Sequence, residues 1–210
     1  MSTGRRTGTG AVIAPPNPWD PVVRLSHWLI AAAVIINGLL SEPGGAIHIW
    51  VGWIAMAVLV IRLVWGFIGP KEARFAAFLP DPREAVSHLF SLLRGKPKEY
   101  PSHNPAGAIM VYALWACLAA VIATGLIMTD AKTPIAIAKE RAAVEQGDWS
   151  VLAGEDEETS ETSGEIVKEI HETAANLMLV LALVHVAGVA AESYALRRNL
   201  VRPMIKGPPR

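Results

Sequence analysis

The stretch from Gly164 to Tyr194 constrains this chain more than any other. Its middle, Ala174 to Ala191, is apolar apart from one ionisable side chain, His185, and a second histidine, His171, stands at its entrance. Fourteen residues separate the two. At about 100° per residue, 14 steps return to within roughly 40° of the start, so both imidazoles project from one face of a helix. At a rise of about 1.5 Å per residue they lie ~21 Å apart along its axis. A histidine in a membrane helix is costly and is kept for function. Two on one stripe, near opposite membrane surfaces, point to two stacked cofactors.

Three further segments are equally apolar. With the first they give spans at Val22–Leu40, Ala46–Ile68, Ala106–Met128 and Val167–Ala191, each near the ~20 residues that a bilayer crossing takes. Backbone groups cannot stay unpaired in lipid, so all four are expected to be helices. The predicted fold is all-α, an integral-membrane four-helix bundle. The single cysteine, Cys117, falls in the middle of the third span, which excludes an intrachain disulfide framework and a Cys-x-x-Cys-His haem attachment. The first span follows a basic, Pro-containing arm and lacks a small-residue cleavage site, so it is expected to remain as a helix. No internal repeat or nucleotide-binding glycine motif is present, and no nucleic-acid partner is expected.

Charge sets the orientation. Lys71, Arg74, Arg83, Arg94, Lys96 and Lys98 lie between spans two and three, Arg5, Arg6 and Arg24 near the N-terminus, and Arg197, Arg198, Arg202, Lys206 and Arg210 in the tail. The segment Thr129–Ile170 carries eleven acids against four bases. Positive charge stays inside, so both termini and the middle loop are expected in the cytoplasm of a bacterial inner-membrane protein, with the acidic loop outside. Residues 1–18 read as a disordered arm, 19–196 as the membrane domain with an acidic external loop at 129–166, and 197–210 as a basic tail.

Local signals refine the spans. Asp20 and Asn104 are expected to cap spans one and three, with Pro21 and Pro105 in the first turns. Trp19 and Trp28 suit an interfacial belt. Asp81-Pro82-Arg83-Glu84 opens a short helix bearing Val86, Leu89, Phe90, Leu92 and Leu93, suited to the interface plane, with His88 on its surface. Ile135–Val144 is expected to form a short helix on the outer surface, and Gly154–Gly164 to be mobile. Span three carries no histidine and completes the bundle without ligating anything.

Sorted by depth, the histidines form couples. His27 and His185 fall near the cytoplasmic side, His48 and His171 near the outer side. Each couple offers two imidazoles on facing helices, the arrangement that holds a haem iron between two nitrogens. A six-coordinate iron has no open position, so the product is electron transfer. One histidine near a membrane end is commonly interfacial, but four matched in depth are not so easily explained. Arg62 and His103 are placed by charge and depth to neutralise propionates on the inner side, and Gly38, Gly52, Gly125 and Gly188 to leave room for the ring faces. A zinc site is less attractive, because the histidines are split between two surfaces.

The motifs resemble a known family. Trp19-Asp20-Pro21 with Arg24-Leu25-Ser26-His27-Trp28 is similar to the first-helix signature of the bacterial cytochrome b561 and hydrogenase-type b-cytochrome family. Arg62-Leu63-Val64-Trp65-Gly66 is similar to its second-helix ending, and His103-Asn104-Pro105-Ala106-Gly107 to its entrance to helix three. His171 with His185 matches its double-histidine fourth helix. The resemblance covers about residues 17–200. It implies two b-type haems with His27, His48, His171 and His185 as axial ligands. It also implies electron transfer between quinone and a c-type cytochrome, a hydrogenase or another redox subunit. The long acidic segment before helix four departs from members with a short external loop.

The expected function is a respiratory membrane electron carrier whose acidic loop steers a basic partner from outside. One alternative is a superoxide:quinone oxidoreductase, though an outer loop rich in acids opposes capture of an anion. The other is a non-redox membrane anchor for a partner complex.

Overall fold

The computed structural model describes residues 20–95, 100, 103–152 and 161–206, and within them the regular structure is helical throughout. The expectations for the arm at 1–18, for Trp19 and for most of the acidic stretch 154–164 lie outside the described residues. Four helices are long and apolar enough to cross a membrane: Pro21–Leu40, Ala46–Ile68, Pro105–Met128 and Ser163–Ala195. The sequence placed all four within a few residues. The fourth extends further at both ends, with residues 161–166 before Val167 continuing the helix beyond its apolar part.

Helix α1, Pro21–Ile35, starts where Asp20 Oδ1 accepts from the Val22 and Val23 amides at 2.8 and 3.1 Å. This satisfies two of the donors that a helix start leaves over. The helix then widens into a π-turn, Ile36–Leu40. A turn of this kind inserts one residue into the ladder and re-aims the side chains beyond it. The tight connection that follows turns at Gly44, whose φ of +69° belongs to the left-handed region that glycine enters without strain.

Helix α2, Ala46–Ile68, returns inward. Two short 3₁₀ turns, Lys71–Ala73 and Phe75–Ala77, lead to the expected short helix α3, Pro82–Leu93, which Asp81 caps. Its Val86, Leu89, Phe90 and Leu93 are exposed, as a helix lying in the interface requires. His88 is not on that surface. It is 2 % exposed and faces the bundle, because the buried side of α3 packs on α4, Pro105–Met128. Asn104 caps α4 by accepting from the Gly107 amide at 2.7 Å.

The external segment contains α5, Pro134–Glu145, whose Arg141 donates to the Gly44 carbonyl at 2.8 Å and so ties the helix to the first external turn. Helix α6, Glu161–Ala195, packs mainly against α4. A short α7, Val201–Lys206, turns back under α1. There Arg24 Nη2 donates to the Ile205 carbonyl at 2.5 Å, and Trp28 Nε1 to the Met204 carbonyl at 3.0 Å. The last carbonyls of α7 are therefore capped by α1, and the tail is a packed element up to Lys206.

Most large apolar side chains on the four long helices point outward, as expected where the solvent is lipid. The packed core lies at mid-depth and is small: Leu59, Leu118 and Met178, with Ile30, Val34, Leu114 and Trp115 against them. Met178 stands seven residues from both His171 and His185, so this core separates the two histidine couples.

Candidate functional site: two histidine couples across the bundle

The His27 ring from α1 and the His185 ring from α6 have centres 6.3 Å apart with planes at 55°. The His48 ring from α2 and the His171 ring from α6 have centres 6.2 Å apart with planes at 57°. All four predicted ligands are thus brought together in the predicted pairs, and all four are half-buried. An imidazole nitrogen lies about 2 Å from a metal it binds, with the ring centre about 1.1 Å behind, so two rings sharing one metal have centres about 6.2 Å apart. Both separations meet that requirement. Groups of three or more metal-ligating side chains, by contrast, are absent among the described residues.

Glycines near the couples leave space beside the rings to different extents. A methyl group built on Gly188, three residues from His185, would meet nothing within 4 Å. One built on Gly52, four residues from His48, would touch only Asn37 Nδ2, at 4.0 Å. Gly125 lies against His171, with its added carbon 3.4 Å from Cε1. Gly38 is different: its added carbon would stand 2.8 Å from Leu179, so this glycine lets α6 approach the π-turn rather than opening a ring face.

The inner couple is surrounded by charge and aromatic rings. Arg62 of α2 is 5 % exposed, lies over the Trp115 ring at 5.1 Å, and keeps Nη1 buried without a hydrogen-bond partner. A buried guanidinium nitrogen in that state fits an anionic group beside it. His103 retains some open surface, yet the enclosing protein, then Arg62, His185 and His27, push its imidazole down to about 4. It is neutral at pH 7 and can offer a hydrogen bond but no charge. Phe75, Phe78, Tyr112 and Trp115 cluster nearby at tilted and edge-on angles, with His103 4.7 Å from Phe78 between ring centres. Asp20 contributes twice, since the Oδ1 that caps α1 also accepts from Trp65 Nε1 at 3.1 Å and binds the start of α1 to the end of α2.

The outer couple is held by hydrogen bonds. Asn37 Nδ2, on the π-turn, donates to the His48 carbonyl at 3.0 Å. Thr124 Oγ1 of α4 lies 2.9 Å from His171 Nδ1. Neither contact is legible in the sequence: a Thr inside an apolar span reads as a small packing residue, and the π-turn that aims Asn37 has no spacing signature.

A third polar cluster joins α3, α4 and α6 near the inner surface. His88 Nε2 lies 3.8 Å from Glu192 Oε1, and Asn104 Nδ2 donates to the other carboxylate oxygen. This explains the burial of His88.

A family model described as prokaryotic cytochrome b561 matches residues 18–207. The chain is also similar to proteins named probable Ni/Fe-hydrogenase B-type cytochrome subunit. That of Azotobacter chroococcum mcd 1 is 22% identical over 224 residues, covering 90% of this chain and 86% of the relative. Those of Azotobacter vinelandii, 22% identical over 218 residues, and Rhizobium leguminosarum bv. viciae, 21% over 216, match with the same coverage. No solved structure matches.

Proposed function

The chain belongs to the prokaryotic cytochrome b561 family, and on that premise we propose that it holds two b haems, one between His27 and His185 and one between His48 and His171, and passes electrons between membrane quinone and a redox enzyme. In broader terms it is a membrane b-type cytochrome of electron transfer, an integral protein of the inner membrane. The observation that carries the two-haem reading is the near-identical separation of the two couples, 6.3 and 6.2 Å.

Haem b, held by His27 with His185 and by His48 with His171, would supply a one-electron couple. The chain does the rest. Rigid helices fix the four imidazoles, and Gly52 and Gly188 keep side chains away from the space beside them. Arg62 would supply positive charge to the anionic groups of an inner haem, with His103 adding a hydrogen bond. The apolar core at Leu59, Leu118 and Met178 excludes water between the couples.

Lys and Arg placement puts both termini and α3 on the cytoplasmic side and α5 outside. The Azotobacter and Rhizobium relatives are hydrogenase subunits by name, so a hydrogenase is the first partner to test, and a periplasmic c-type cytochrome the second. A superoxide funnel gains no support from the described outer residues. Lys132 is paired with Glu140 at 3.2 Å and Arg141 is engaged with the Gly44 carbonyl.

Haem counting by pyridine haemochrome with a redox titration tests the reading. Two haems per chain with two resolvable components are expected. His185→Ala should remove one component and His48→Ala the other. A single haem in the wild type, or both haems retained in either variant, overturns it.

A further inference from the structure

Thr124 makes more contacts than a packing residue needs. It is 8 % exposed, in the outer half of α4, and its Oγ1 has three polar neighbours. The hydroxyl donates to the Ala120 carbonyl at 2.7 Å, with the Val121 carbonyl at 3.1 Å, and stands 2.9 Å from His171 Nδ1. A hydroxyl has one proton and two lone pairs. With the proton directed to the Ala120 carbonyl, Oγ1 can meet the imidazole only as an acceptor. His171 Nδ1 must then carry the hydrogen, which leaves the unprotonated lone pair on Nε2. A neutral imidazole bearing its hydrogen on Nδ1 can bind a metal only through Nε2.

Two of the other couple members differ. Nδ1 of His27 and Nδ1 of His48 are buried with no hydrogen-bond partner. His171 therefore has its tautomer set by a side chain from a helix that supplies no ligand.

We propose that Thr124 is a positioning residue that fixes the Nδ1–H tautomer of His171, strengthens that imidazole as a donor, and so lowers the midpoint potential of the outer haem. The proposal rests on the two-couple reading above. A hydrogen bond from the distal ring N–H raises ligand basicity, and losing such a partner typically costs about 10–100-fold in metal affinity. A more basic ligand favours ferric iron over ferrous.

The test is a redox titration of the purified full-length protein carrying Thr124→Val, which keeps shape and loses the hydroxyl. The component that disappears in His48→Ala should rise in potential by about 59 mV for each tenfold loss of ferric preference, while the inner component stays fixed. Loss of the outer haem with the inner one retained supports the proposal equally. Thr124→Ser should restore the wild-type potential, and Thr124→Ala replaces the Val variant if that protein does not accumulate. An outer potential unchanged in Val or Ala, or moved as far by Ser as by Val, overturns the role of Thr124. Histidine variants that remove no haem overturn the underlying reading instead, so the two failures are distinct.

Discussion

The inner and outer couples share one ring separation but are built by different physics. Around His27 and His185 the protein uses bulk and charge: four stacked aromatic side chains, a buried Arg62, His103, and links such as Asp20 to Trp65. Around His48 and His171 it uses two aimed hydrogen bonds, from Asn37 and to Thr124. A packed aromatic wall fixes geometry through many weak contacts, so it tolerates the loss of one and fails when its volume is violated. A few hydrogen bonds fix geometry through direction, and each one matters singly.

The most severe way to break the comparison is Gly66→Ala. A methyl group at this position would overlap the Phe75 ring, at the base of the aromatic wall. Overpacking of this kind costs about 1–3 kcal/mol. The inner haem component should be lost or strongly reduced on purification, with the outer component largely kept. Equal loss of both would show that the wall supports the whole bundle rather than one couple.

Arg62→Gln probes charge rather than volume. Removing a buried positive charge beside the inner couple favours the ferric state, so the inner midpoint potential should fall by on the order of 60 mV, a tenfold effect for one electron. The outer component should not move, because Arg62 lies with His103 at the inner end. A titration in which the outer potential moved as much would deny the separation between the couples.

Asn37→Ala should have the smallest effect. One hydrogen bond to the His48 carbonyl is lost, worth about 0.5–1.5 kcal/mol. Thermal release of haem should then begin with the outer component, a few degrees earlier than in the wild type. Earlier release of the inner component would contradict the assignment of Asn37 to the outer couple.

Much of this architecture was legible in the sequence because membrane helices are governed by one-dimensional rules. The caps at Asp20, Asp81 and Asn104 formed where a polar acceptor precedes Pro in an apolar or amphipathic run. The short helix expected at Ile135–Val144 is α5. Less was legible where a polar side chain reached across the bundle. His88, expected at the surface, is buried on the face of α3 that packs against α4, where Glu192, distant in sequence and itself bonded by Asn104, meets it. Gly38 was read as room for a ring face, and Leu179 fills that space. Span three was expected to complete the bundle without ligating anything; what its sequence did not reveal is that it brings Thr124 to the outer couple and Tyr112 and Trp115 to the inner end.

By itself the sequence determined four crossings and the depth of every histidine, because hydropathy and a rise of about 1.5 Å per residue translate position directly into height in the bilayer. Depth paired His27 with His185 and His48 with His171. Only the tertiary structure decided what stands behind each ring: Thr124 behind His171, and no partner at Nδ1 of His27 or His48. Height is a property of one helix. The neighbour of a side chain depends on the rotation and approach of two helices, and those are set by close packing at small residues and by the π-turn at Ile36–Leu40, which no single apolar run records.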